Sequence, residues 1–218
     1  MGLTGRHTDE VERIRREADR AKTERDELYA ILDAALVGTL ATVVEGRPWT
    51  VPMLYGRIED RLYLHGSTGA GALRQVAGGA PANLCVTLID GIVVADNLFN
   101  SSANYRSAVV RGQATRVSAD EAYDALTAMS DRLIPGRSAE VPRHTSKELA
   151  ATLVLLMLIT DDNWTAKVRT GPPGEPDVDP GAWAGVVPMY TAYGTPIPAP
   201  WVAADLAVPA SVAAYRNR

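Results

Sequence analysis

Three short runs near the start of the chain limit its fold more than anything else. "VGTLATVV", "PWTVPMLYGRI" and "RLYLHG" are rich in β-branched and apolar residues, broken by Glu45-Gly46, with Arg47 after it, and by Glu59-Asp60. A break of two or three residues can join antiparallel strands but cannot carry a parallel crossover. The succession therefore reads as an antiparallel meander, and the βαβ alternation of a dinucleotide-binding sheet is missing. Within "RLYLHG", Leu62 and Leu64 fall on one face and Tyr63 and His65 on the other.

Further along, "NLCVTLIDGIVVAD" reads as two strands with Asp90-Gly91 as a hairpin turn. "NYRSAVVRGQATRV" and "TLVLLMLIT" read as strands, with Gly112 a bulge or a close approach. Ser118-x-x-Glu121 and Thr145-x-x-Glu148 are capping boxes that open helices. Ala70 to Val76 reads as one short helix, N-capped by Ser67 or Thr68. About six strands with two flanking helices give a mainly β chain, a small antiparallel β-barrel with peripheral helices. The expected division is an N-terminal charged helix (1–32, helical from Thr8), a barrel domain (33–190) and a proline-containing extension (191–218).

Bulk properties narrow the function. The 218 residues carry a net charge of −4, so nothing favours nucleic acid. No apolar leader precedes the charged opening, and the apolar run of residues 148–160 is too short to span a bilayer. The single cysteine, Cys85, excludes an internal disulfide framework, and a reducing cytoplasm is the expected setting. Three scattered histidines and one cysteine make no zinc spacing.

Four places can carry chemistry. "HGSTGAG" opens a helix with free N–H groups, two hydroxyls and Arg74 close by, but lacks the Lys-Ser/Thr of a phosphate loop. His65 reads as a hydrogen-bonded structural residue, a proton donor or an axial haem ligand. Asn104-Tyr105-Arg106-Ser107 crowds four polar groups at a strand start, and Lys167 and Arg169 share one side of another strand. Those three cations either grip a phosphate or form a solvated edge. Trp183 is either a plug or a stacking platform.

Taken in order, "GTLATVVEGRPWTVPMLYG", "LYLHGS", "VTLIDGIVVAD", "NYRSAVVRG", "TAKVRTGPP" and "WAGVVP" resemble the pyridoxamine 5'-phosphate oxidase-like flavoproteins, nearest to the nitroimidazole-resistance-type branch. The resemblance covers about residues 30 to 190. It implies a split β-barrel, a homodimer with FMN at the subunit interface, and oxidoreduction of a small molecule, without nucleic acid or membrane. It also implies that Thr50, Val51 and Pro52 lie along the flavin ring. His65, Gly66 and Ser67 would border the ring and ribityl chain, and Arg74 would approach the phosphate. Asn104, Tyr105, Arg106 and Ser107 would line the same cleft, closed by Lys167, Arg169 and Trp183, with His65 or Tyr105 as proton donor. The sequence departs from the pattern at Ala70, Gly71 and Ala72, where similar proteins carry basic and hydroxyl residues that hold the phosphate. Each lost charge-assisted contact costs about 1.5–3 kcal/mol. Two alternatives therefore stand beside FMN: haem on His65, or no cofactor at all.

Overall fold

The protein is described here by a computed structural model covering residues 14–176 and 181–217. Nine strands form one antiparallel sheet: β1 (Ala21–Lys22), β2 (Val37–Val44), β3 (Arg47–Ile58), β4 (Arg61–Ser67), β5 (Pro81–Val94), β6 (Ser102–Arg116), β7 (Thr152–Leu158), β8 (Trp164–Arg169) and β9 (Gly185–Pro188). Their order is β1-β8-β6-β7-β4-β3-β2-β5-β9, and an added β5–β6 pairing closes six of them into a barrel. Two strands make this closure possible by pairing with different neighbours along their length. The 15-residue β6 meets β8 through Tyr105–Val110 and β7 through Ala114–Arg116. The 14-residue β5 meets β2 through Ala82–Cys85 and β9 through Gly91–Val94.

Leu40, Leu62, Leu64, Leu84, Val86, Val110, Leu155 and Met157 fill the barrel. Two helices add to that core: α1 (Arg25–Ala34) with Leu28, Ile31 and Leu32, and α2 (Gly71–Ala77) with Leu73 and Val76. Outside the barrel, α3 (Ala119–Leu133) lays Ala122, Ala125, Leu126 and Met129 over Tyr63, Val154 and Leu156. The opposite fates of Leu62/Leu64 and Tyr63 follow the two-residue alternation read from the sequence. A short helix, α4 (Ser146–Ala151), leads into β7, and α5 (Ala210–Ala213) ends the tail.

Several expectations are corrected. The N-terminal helix does not run through to Leu32 from Thr8. Residues before Ile14, including Glu12, lie outside the described part, while a 3₁₀ turn at Ala18–Arg20 and strand β1 precede a helix that starts at Arg25. Residues 17–24 offer no apolar stripe to bury, so packing does not select a helix there. Asp90-Gly91 is a bulge inside β5, not a hairpin turn. The Asp90 carboxylate accepts both Arg106 Nε and Nη2, at 2.8 and 2.7 Å, which holds the strand straight across β6. The connection to β6 comes later, through Asp96–Ser101. Helix α2 is capped by neither Ser67 nor Thr68: its N-cap is Ala70, and Ser67 Oγ accepts from Gly69 N within the turn. Ser118 does cap α3, but Glu121 turns away to Arg61 and Tyr63, so only Thr145–Glu148 makes the full reciprocal box.

Candidate functional site

The registers bring one set of the expected residues onto a single outward sheet face. Directly paired residues project to the same side. On β2 and β3 the outward pairs are Val43–Pro48, Ala41–Thr50, Thr39–Pro52 and Val37–Leu54. On β5 and β6 they continue as Cys85–Val109, Thr87–Ser107 and Ile89–Tyr105. None of these side chains is charged, and Val37 and Val43 are 49% and 58% exposed. Charge appears at the far margin, where β8 sets Lys167 beside Ser107 and Arg169 beside Tyr105. Across the sheet, Leu54 therefore stands four strand spacings from the strand of Lys167 and Val37 three, about 19 and 14 Å at 4.8 Å per strand.

At the other margin lies His65. The β3–β4 register ends at Tyr55–Leu64, so Leu54 and His65 come next to each other, and both line one cavity of about 300 Å³. Helix α3 contributes Leu126, Met129 and Leu133 to its wall, and the loop before α4 contributes His144. His65 is half-buried and its Nδ1 is enclosed, with no hydrogen-bond partner among the described residues. Burial holds its pKa below the ordinary histidine value, so the ring is neutral at neutral pH, the form that ligates metals. Arg132 adds a fixed positive charge at the cavity wall. Its Nη1 donates to Tyr55 O at 2.8 Å and its Nη2 to Leu32 O and Ala35 O at 2.5 and 2.6 Å. None of these acceptors is a carboxylate, so the charge stays uncompensated there. The same guanidinium lies 4.8 Å from the centre of the Tyr55 ring. Burial pushes the Tyr55 hydroxyl up to about 12, and it donates to Leu32 O as a permanent neutral group.

The remaining expected residues are placed elsewhere. Val51 turns inward and packs against the barrel core. Gly66 faces α2, where an added Cβ would stand 2.4 Å from Leu73 Cδ1, so helix packing explains this glycine. Arg74 is exposed on α2. Asn104 is buried; its Nδ2 donates to Gly171 O at 3.0 Å and its Oδ1 accepts from Arg169 Nη1 at 2.7 Å. Trp183 is exposed and lies against Gly185 at the head of β9.

The three cations expected to converge on a phosphate differ in what they can offer. Arg106 is neutralised by the bidentate pair with Asp90. Lys167 donates to Arg16 O at 2.8 Å and Arg169 to the Asn104 amide, both neutral acceptors, so both keep their charge. Beside them lies an open hollow of about 400 Å³, lined by Asp19, Arg20, Lys22 and Arg169 among others. Among the described residues, no group of three or more His, Cys, Asp or Glu could hold a bare metal ion, and no helix is long and apolar enough to cross a membrane.

Sequence reasoning missed His144, Arg132 and the cavity itself. His144 is an isolated histidine before a capping threonine, and only the docking of α3 and α4 against β4 gives it meaning.

Comparison with known proteins follows the same lines. Residues 24–163 match the family described as pyridoxamine 5'-phosphate oxidase. Among solved structures, the FAD and haem binding protein from Mycobacterium smegmatis is 45% identical, with 90% of this chain and 97% of that one covered at a TM-score of 0.88. The flavocytochrome Anf3 from Azotobacter vinelandii is 29% identical over 94% of this chain and 96% of that one, at a TM-score of 0.87. A candidate 5-nitroimidazole antibiotic resistance protein from Bacteroides thetaiotaomicron is 21% identical over 68% of this chain and 86% of that one, at a TM-score of 0.55, which speaks for the fold alone. No curated protein matches the chain.

Proposed function

The chain belongs to the pyridoxamine 5'-phosphate oxidase family of split β-barrels, and from that premise we propose that it is a redox protein that binds both a flavin and haem. The observation that carries this reading is His65: an imidazole whose pKa burial lowers, so that the ring is neutral, on the wall of a mainly apolar cavity. The 45% identical FAD and haem binding protein supports the same pairing of groups.

In this reading His65 would hold the haem iron, Leu54, Leu126, Met129 and Leu133 would exclude water from it, and the Arg132 charge would attract its carboxylates. Thr50, Pro52 and Tyr105 on the uncharged outward face would hold the flavin ring, and Lys167 and Arg169 its phosphates. The flavin is FAD rather than the FMN expected from the sequence, a choice supported by the 45% identical FAD and haem binding protein. A second copy of the chain covers that face, since an uncharged surface of four strands with exposed valines, prolines and isoleucine is what a homodimer interface buries. When bound, the flavin supplies two-electron exchange with a small organic substrate and the haem supplies one-electron exchange at iron.

The test is anaerobic photoreduction of protein reconstituted with FAD and haemin. Bleaching of the flavin bands followed by conversion of ferric to ferrous haem supports the reading. A protein that takes up neither group, or one whose haem stays ferric beside fully reduced flavin, overturns it.

A further inference from the structure

We infer that His144 is a second imidazole ligand to the haem that His65 holds, an inference that rests on the haem reading above. The two histidines reach one cavity from separate parts of the fold. His65 comes from the barrel strand β4, and His144 from the loop that ends at the Thr145 cap of α4. They are the only two histidines among the described residues, and both line this space.

The loop is built to hold His144 in place. On its C-terminal side, Thr145 Oγ1 accepts from Glu148 N and the Glu148 carboxylate accepts from Thr145 N, at 3.3 and 2.8 Å. That reciprocal pair fixes the backbone one residue from His144. On its N-terminal side, Glu140 accepts from Ser211 N and Oγ, at 3.0 and 2.5 Å, which ties the preceding turn to the tail. The His144 ring itself stands edge-on to Tyr123 of α3, with centroids 5.9 Å apart. An aromatic edge contact orients an imidazole without consuming either nitrogen as a hydrogen-bond partner. A second hollow of about 210 Å³ shares Ser130, Leu133 and His144 with the first.

The groups facing His144 are few. Glu148 is committed to the Thr145 cap, Tyr123 meets the ring edge-on, and Arg132 is committed to main-chain carbonyls. Of the other donors in the cavity wall, the Tyr55 hydroxyl is committed to Leu32 O and Glu148 to Thr145, which leaves Met129 as the rival. Its side chain packs over Gly56, where an added Cβ would stand 2.5 Å from Met129 Cγ, so it is held against β3 by the α3 contact. Two nitrogen ligands leave the iron with no open position, which suits electron transfer and makes binding of small gaseous ligands wait on displacement of His144.

The experiment is optical and electron paramagnetic resonance spectroscopy of haem-loaded full-length protein, with carbon monoxide binding to the reduced form. The wild type is expected to be low-spin and six-coordinate. His144→Ala should keep its haem, shift to a high-spin spectrum and bind carbon monoxide faster, while His65→Ala should lose the haem. A wild-type spectrum that His144→Ala leaves unchanged overturns the inference, as does a change seen only in Met129→Leu. Failure of the wild type to take up haem at all overturns the underlying haem reading instead, so the two failures are separable.

Discussion

Replacing His65 with leucine separates the cost of the site from its use. In the cofactor-free protein, His65 Nδ1 is enclosed without a partner. Such an atom costs about 1–3 kcal/mol, and the lower end applies because the ring is only half-buried. Leucine has no polar atom to desolvate, and the surrounding wall of Leu54, Leu126 and Leu149 is already apolar. The apoprotein of His65→Leu is therefore expected to be about 1 kcal/mol more stable, a rise of about 2–4 °C in melting temperature for a chain of this size. The pH dependence gives the same argument a sign. Burial lowers the His65 pKa in the folded state. The unfolded chain then binds more protons, so this contribution is complete above about pH 6.5 and is lost as pH falls through the folded value. The wild-type apoprotein should lose stability between neutral and mildly acidic pH more steeply than His65→Leu. Calorimetry of both apoproteins across that range reads the difference. If His65→Leu melts lower at neutral pH, or both proteins share one acid profile, the nitrogen has a partner and the reasoning fails.

Three other changes are informative. Val37→Lys puts a charge on the uncharged sheet face, and should convert a dimer to a monomer in light scattering because burying an unpaired lysine costs several kcal/mol; an unchanged mass argues against the two-copy arrangement. Gly66→Ala should cost about 1 kcal/mol in denaturant titration, since Leu73 must rotate away from the new methyl, yet leave haem affinity unaltered. Loss of haem in that variant would return Gly66 to the binding site. Arg132→Met removes three bonds from a charged donor to the carbonyls of Leu32, Ala35 and Tyr55, and should destabilise the fold by about 3 kcal/mol in the same titration; a change below 1 kcal/mol would show that water replaces the guanidinium at no cost.

Local signals in the sequence carried most of the barrel. Alternation placed Leu62 and Leu64 inside and Tyr63 outside, and the Thr145–Glu148 box formed as read, because each depends on neighbours a few residues away. Asp90-Gly91 misled for a long-range reason. Its turn chemistry is overruled by Arg106, sixteen residues on, and by β9, whose Val187 O would lie 3.0 Å from a Cβ at Gly91. The candidate site shows the same division. Thr50, Pro52, Tyr105, Lys167 and Arg169 share a face only through the registers of four strand pairs, and no single stretch of sequence states those registers. Arg106 read as a free cation because its partner is visible only once β5 and β6 are paired. His144 had no local signature of any kind.

The most direct measurement is titration of ferric haemin into wild-type protein and His65→Ala, followed by difference absorption. The account predicts saturation at one haem per chain in the wild type and only weak, non-saturating uptake in the variant. Equal, stoichiometric binding by both proteins would contradict it.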